Sequence, residues 1–378
     1  MKFSDIPSHD SVKARLRAMA DDRRIPHAIL LEGPAGIGKF AMARAFAQYV
    51  HCRHRTPDGE PCGECASCRQ HESFNHIDTF FSYPVVKTER FKNLPPVSAD
   101  FIEEWRKFLV DNPFMDFDSW AAVFDKKTAQ PVIYVTESDV LMQKVATTAH
   151  ASDYKIIIMW LPERMNEDCA NKLLKLIEEP HDDTLFIMTS DSPEDILPTI
   201  LSRCQRVEMR RLPDEHIARY LEGKMAVDLT EAQALAHIAD GSIVRALQLT
   251  ADSGASRRFF DLFVRLMRDA YQRKVSSLRV WASDLSALGR ETEIKFYDYC
   301  QRLIRENFIY NFANPDINYM TGYESDFSRN FAKFITERNA EPLINAFNDA
   351  RRDVAGNGNG KIVNFDLAIR VILLLKNG

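Results

Sequence analysis

The stretch Ala28-Ile29-Leu30-Leu31-Glu32-Gly33-Pro34-Ala35-Gly36-Ile37-Gly38-Lys39-Phe40 decides how the rest of this chain is read. Its spacing is that of a phosphate-binding P-loop, G-x-x-x-x-G-K-[S/T], with Phe40 where the motif carries a hydroxyl. In a working loop the backbone N–H groups cradle phosphates, the lysine neutralises them and the Ser/Thr hydroxyl holds Mg²⁺. Gly33, Gly36, Gly38 and Lys39 keep the cradle and the cation, but the magnesium ligand is missing. Upstream, 28–31 is an apolar run of strand length. Downstream, Ala41, Met42, Ala45, Phe46 and Tyr49 recur at helical spacing. Strand, glycine turn and helix in that order predict an α/β P-loop domain, a parallel sheet flanked by helices.

The half of such a site that activates the metal lies at the end of a later strand, and Lys155-Ile-Ile-Ile-Met159 is the candidate. A strand of this kind ends in Asp-Glu, which binds Mg²⁺ and orients water. Here it runs into Trp160-Leu161-Pro162-Glu163, so an alignment on Glu163-Arg164-Met165 puts Trp160 and Leu161 in the acidic places. Glu163 stands three residues further on, about 10 Å of extended chain. Phe40 and Trp160-Leu161 remove ligands of the same ion. The expectation is a nucleotide fold without hydrolysis, with ATP or ADP possible only as an inert ligand.

Composition bounds the alternatives. A chain of 378 residues accommodates two or three domains, and 45% hydrophobic residues supply a large core. The formal charge, 49 − 54 = −5, disfavours an autonomous grip on DNA. No apolar run reaches membrane-span length and the first residues lack a signal-peptide apolar segment. A cytoplasmic location is expected, with the 7 cysteines reduced or metal-bound. Four of them, Cys52 and Cys62-Gly-Glu-Cys65-Ala-Ser-Cys68, have the spacing of a closed tetrahedral site, which predicts structural Zn²⁺. His51, His54 and His71 are competing ligands. A redox Cys-x-x-Cys would not need four thiols.

Further along, a helix over 168–179 is stopped by Pro180, and Leu185-Phe-Ile-Met-Thr189 is a second buried strand ending at Ser190-Asp191. Together, Arg24-Ile-Pro-His27-Ala, Ala170-Asn-Lys-Leu-Leu-Lys175, Glu178-Glu-Pro180 and Thr199-Ile-Leu-Ser-Arg-Cys204 resemble the clamp-loader branch of the AAA+ family, over about residues 1–250. The resemblance implies a zinc module after the P-loop helix and a polar γ-phosphate sensor near Ser190-Asp191. It makes Arg203 an arginine finger, donated in trans to the ATP site of a neighbouring subunit. It also implies partners: the gamma/tau ATPase and delta subunits of a loader and, through the complex, a sliding clamp and primed DNA, with no membrane. Gly241-Ser-Ile-Val-Arg-Ala-Leu247 resembles the helix bearing a second arginine sensor, but Val244 holds that place and Arg245 follows it, turned by about 100°.

The expected division is an AAA+ core over 1–209, with a zinc module at about 51–72 and an insertion at about 80–135, then a small helical lid over 210–252 and an all-α collar over 253–378. Collar helices are expected at 257–272, 278–288, 291–310, 326–338, 341–354 and 364–376. The predicted role is a stator-like subunit that does not hydrolyse ATP and serves its neighbour with Arg203. An ATP-hydrolysing motor subunit of the same loader and a zinc-dependent nucleic-acid-binding module are the alternatives.

Overall fold

Buried runs of β-branched and large apolar residues supply the strands of this chain. The computed structural model describes residues 1–88, 91, 94–124, 130–180, 183–251, 253–312, 320 and 322–376. By internal packing these fall into two compact units, Met1–Tyr220 with Ala239–Arg245, and Leu221–Ile238 with Ala246–Gly378. The expected lid, 210–252, contributes residues to both.

The first unit is built on β1 (Ala28–Glu32), β2 (Thr79–Ser82), β3 (Lys155–Trp160), β4 (Thr184–Ser190) and β5 (Gln205–Glu208). They form one sheet in the order β2-β3-β4-β1-β5, every pair parallel. All residues of β1, β3 and β4 are buried, as strands covered by helices on both faces must be. The register sets Glu32 against Ser190 and Trp160 against Thr189. The carboxyl ends of β1, β3 and β4 therefore share one edge, where open parallel sheets place ligands. Helices flank or connect these strands: α1 (Asp10–Asp21), α2 (Lys39–His51), α3 (Ala66–Glu72), α4 (Ile102–Asp111), α5 (Phe117–Ala122), α6 (Val135–Val145) and α7 (Glu167–Glu178). Next come the short α8 (Pro198–Leu201), then α9 (Asp214–Met225), α10 (Leu229–Ala239) and α11 (Ile243–Ala251). Asn166 caps α7, its Oδ1 accepting from Cys169 N–H at 3.0 Å, with Glu167 and Asp168 in the positive first turn.

The segment expected to be an insertion begins inside the sheet. Thr79–Ser82 is the edge strand β2, so the addition to the sheet starts only after Ser82. That addition is closed at its base by a bridge between Val85 and Val132, which exchange N–H···O bonds of 3.0 and 2.9 Å. Residues 89–90, 92–93 and 125–129 of it lie outside the described set. The amphipathic pattern over 100–109 predicts a helix, and α4 (Ile102–Asp111) is that helix; 116–120 reads as turn-rich and aromatic, and there the short helix α5 forms instead, its Trp120 buried.

In the second unit, α12 (Ser253–Tyr271), α13 (Val275–Ser286), α14 (Arg290–Tyr310), α15 (Gly322–Phe331), α16 (Ala340–Ala355) and α17 (Gly360–Lys376) enclose one core. Phe263, Trp281, Phe296, Tyr297, Leu303, Phe347 and Val371 are buried there. The helix expected over 326–338 is broken: α15 ends at Phe331, a 3₁₀ turn takes Ala332–Phe334, and α16 starts afresh at Ala340. Two asparagines stabilise the break. Asn311 donates to the carbonyls of Ala332 and Ile335, and Asn339 donates to that of Phe334 while accepting from Thr336 N–H. Apolar periodicity continues through the break, and so hid it.

Candidate functional site

A P-loop works by leaving its lysine ammonium and its amides free for phosphate. Here Gly38, at φ +93°, caps α2 and launches Lys39 inward, where it is only 5% exposed. An ammonium has three N–H donors. Lys39 Nζ directs them to Gly33 O at 2.7 Å, to Pro34 O, and to Asp191 Oδ1 at 2.7 Å. Burial pulls the lysine pKa below its usual value, with Asp191 and Glu163 opposing that shift. The acidic neighbour is itself locked. Glu163 Oε1 accepts from the N–H groups of Asp191 and Ser192 at 2.8 and 3.3 Å. An incoming phosphate would have to displace Asp191 and then face its carboxylate.

The magnesium side of the site is filled with rings. Phe40 lies against Trp160, the residue in the acidic strand-end position, at 6.3 Å between centroids and edge to face. Trp105 of α4 packs on both, at 5.6 Å from Phe40 and 5.5 Å from Trp160, and Phe81 adds a contact at 6.2 Å from Phe40. Behind them, Tyr83 stacks on Trp105 at 3.8 Å and Trp120 meets it at 4.9 Å. Phe40 and Trp160 are each 4% exposed and Trp105 is fully buried. Such pairs contribute about 0.5–1.5 kcal/mol each beyond area burial. The two departures noticed in the sequence are thus one structural event: where a hydroxyl and a carboxylate would hold a metal ion, two rings touch.

The phosphate side is closed as well. Phe114, from the turn after α4, lies 3.2 Å from where a Cβ on Gly38 would stand. Ser242 and Val244 sit over Gly36: Val244 N–H and Ser242 Oγ donate to Gly36 O at 3.2 and 3.4 Å, and a Cβ at Gly36 (φ +77°) would fall 2.2 Å from Ser242 Oγ. Val244 faces the loop and Arg245 is exposed, as their spacing predicts. Among the described residues, Gly36, Gly38, Lys39, Phe40, Phe114 and Trp160 help line a cavity of only about 10 Å³ here. That leaves room for about one water molecule, far less than the several hundred Å³ of a small-molecule pocket. Sequence reasoning missed Trp105 and Phe114, which no P-loop motif contains, and Asp191 as the lysine's counter-ion.

The cysteines converge as their spacing predicts. The sulfurs of Cys52, Cys62, Cys65 and Cys68 all lie within 4.8 Å of one another, with Cys62 and Cys68 at 3.9 Å. Zn–S bonds of about 2.3 Å require sulfurs roughly 3.8 Å apart in a tetrahedron, so the group can hold a metal ion with little adjustment. Backbone N–H groups already point at the sulfurs: Cys62 N to Cys52 Sγ at 3.3 Å, Cys65 N to Cys62 Sγ at 3.4 Å and Cys68 N to Cys65 Sγ at 3.4 Å. Those of Cys65 and Glu64 push the Cys62 thiol down to about 6. The histidines are not part of this group. His51, His71 and His76 form their own buried stack, with His51 ring nitrogens 2.9 Å from His71 Nε2 and from the Tyr154 carbonyl.

Arg203 lies on the turn after α8. Its Nη1 donates to Thr199 O at 2.8 Å and its Nη2 pairs with Glu178 Oε1 at 2.7 Å, the two side chains being 36% and 43% exposed. The guanidinium is anchored but accessible.

A family model described as "DNA polymerase III, delta subunit" matches residues 8–213, more than half of the chain. DNA polymerase III subunit delta' of Pseudomonas aeruginosa is 31% identical over 214 residues, 55% of this chain and 52% of that protein. Subunit tau of Bacillus subtilis is 25% identical over 253 residues, 66% of this chain and 37% of that protein. The chain thus spans about half or less of the length of these relatives. A DNA polymerase III gamma-subunit-related protein of Thermotoga maritima covers 96% of this chain and is itself covered to 99%, at 12% identity and a TM-score of 0.40. The chain belongs to the DNA polymerase III delta-subunit family, as a delta-prime-like clamp-loader subunit.

Proposed function

We propose that this chain is the delta-prime-type subunit of a bacterial clamp loader, a stator that does not hydrolyse ATP and that donates Arg203 to the ATP site of an adjoining gamma/tau-type subunit. Two observations together carry this role: the ring contact of Phe40, Trp160 and Trp105 in the place of the metal ligands, and an accessible Arg203 elsewhere on the chain. Phosphoryl transfer spreads negative charge over the γ-phosphate oxygens, and a planar, permanently charged guanidinium is suited to stabilise it. Delta and gamma/tau subunits are the direct partners; the sliding clamp and primed DNA are reached through the complex. The expected setting is the cytoplasm, and among the described residues no helix is long and apolar enough to cross a membrane. The second unit serves as the collar that joins the ring. The test is reconstitution with gamma/tau and delta subunits: adding this chain should raise DNA-stimulated ATP turnover severalfold. A rate indifferent to its addition would contradict the role.

Zn²⁺ is the metal best suited to the four-thiolate group, as a closed structural site without an open position for water. The purified chain should contain about one zinc per molecule by elemental analysis, and Cys65→Ser should lose it and lower the melting temperature. A metal-free chain with unchanged stability would remove the zinc role. An active motor subunit is disfavoured by the filled site, and an autonomous nucleic-acid module by the net charge of −5.

A further inference from the structure

Glu178 belongs to the Glu178-Glu179-Pro180 motif, for which the chain's nucleotide chemistry offers no use. It is the last residue of α7, where a carboxylate is disfavoured by the negative end of the helix dipole unless a cation meets it. Arg203 is that cation, 2.7 Å away. The two backbones are fixed relative to each other by one apolar core: Leu173 and Ile177 of α7 are buried with Ile200 of α8, and Leu201 and Cys204 pack against them. Cys204 Sγ donates to Ile200 O at 3.1 Å and Arg203 N–H to Ile200 O at 3.0 Å, which holds the turn in place. The arginine side chain is itself tied at two points, Thr199 O and Glu178 Oε1. A guanidinium has five N–H donors. Thr199 and Glu178 occupy one each and Ser202 Oγ, at 3.4 Å, at most a third, so at least two remain for an anion without breaking either tie.

From this geometry we infer that Glu178 is a positioning residue for the arginine finger: it holds the Arg203 guanidinium ready for the neighbour's γ-phosphate and stays paired with it during hydrolysis. The inference rests on the proposed role of Arg203 in trans. Preorganisation matters because a donor already aimed at developing charge needs no rearrangement when the reaction occurs.

The test uses the assembled loader, with hydrolysis confined to the ATPase site that adjoins this chain and single-turnover phosphate release as the signal. Glu178→Ala should slow release about fivefold, the factor that losing a half-exposed ion pair can impose. Glu178→Gln, whose amide oxygen still accepts a hydrogen bond, should retain most of the rate. In an Arg203→Ala background, Glu178→Ala should have no further effect, because it acts only through the arginine. Assembly should match that of the parent chain in all variants, and melting temperature should fall by no more than about 4 °C. An unchanged or faster rate in Glu178→Ala, or an equal fivefold loss in the Arg203→Ala background, would overturn the positioning role. A rate unaffected by Arg203→Ala itself would instead remove the finger on which it depends.

Discussion

Replacing Arg203 with alanine should slow ATP hydrolysis at the neighbouring site of the assembled loader by ~10³–10⁵-fold, the range seen when an arginine finger is removed. The loss should fall on the chemical step, because the charge it meets appears in the transition state. Assembly should survive. Arg203 is more than a third exposed and its pairing with Glu178 is a surface ion pair, worth at most about 1 kcal/mol to the fold. Arg203→Lys should recover little, since a lysine lacks the planar fork. The measurement is single-turnover phosphate release, with size-exclusion chromatography reporting on the complex. A wild-type rate from Arg203→Ala would show that the guanidinium serves another purpose.

The second large effect is on stability. Trp105→Ala should destabilise the first unit by about 3–5 kcal/mol, the usual cost of emptying a large aromatic site. Trp105 is fully buried and touches Phe40, Tyr83, Trp120 and Trp160, so its loss opens a cavity bordered by rings that cannot all collapse into it. The melting transition of that unit, followed by near-ultraviolet circular dichroism, should fall by on the order of 10 °C. Trp105→Phe, which keeps much of the volume, should lose markedly less. A shift of only a degree or two would mean that the rings are not the structural replacement for a metal ion. No nucleotide turnover should appear in the cavity variant, because it restores neither hydroxyl nor carboxylate.

Much of the fold and the site was legible in the sequence because local signals and the fold agree. The run at 28–31, the glycines at 33, 36 and 38 and the helix from Lys39 are tied together within a dozen residues, and each demands the others. The four cysteines were legible for the same reason: three of them lie within seven residues, and two C-x₂-C steps permit few geometries. The features that escaped detection depend on contacts distant in sequence. Phe40 and Trp160 read as two separate departures, and only Trp105, brought in by the segment after β2, joins them into one core. Asp191 was visible at the strand end but not its direction, which Glu163 sets by holding its backbone N–H. The ion pair of Glu178 with Arg203 spans 25 residues and needs the α7–α8 packing to form. Residues 80–83 read as the start of a strand, but only pairing with β3, far along the chain, makes β2 part of the sheet and not of the insertion.

The most direct test of the central claim, that aromatic packing and an internal salt bridge have replaced the nucleotide site, is calorimetric titration of the isolated chain with Mg²⁺-ATP to millimolar concentration. The account predicts no saturable binding and no phosphate release, in the parent chain as in Lys39→Ala. Micromolar binding that Lys39→Ala abolishes, accompanied by Mg²⁺-dependent turnover, would contradict it.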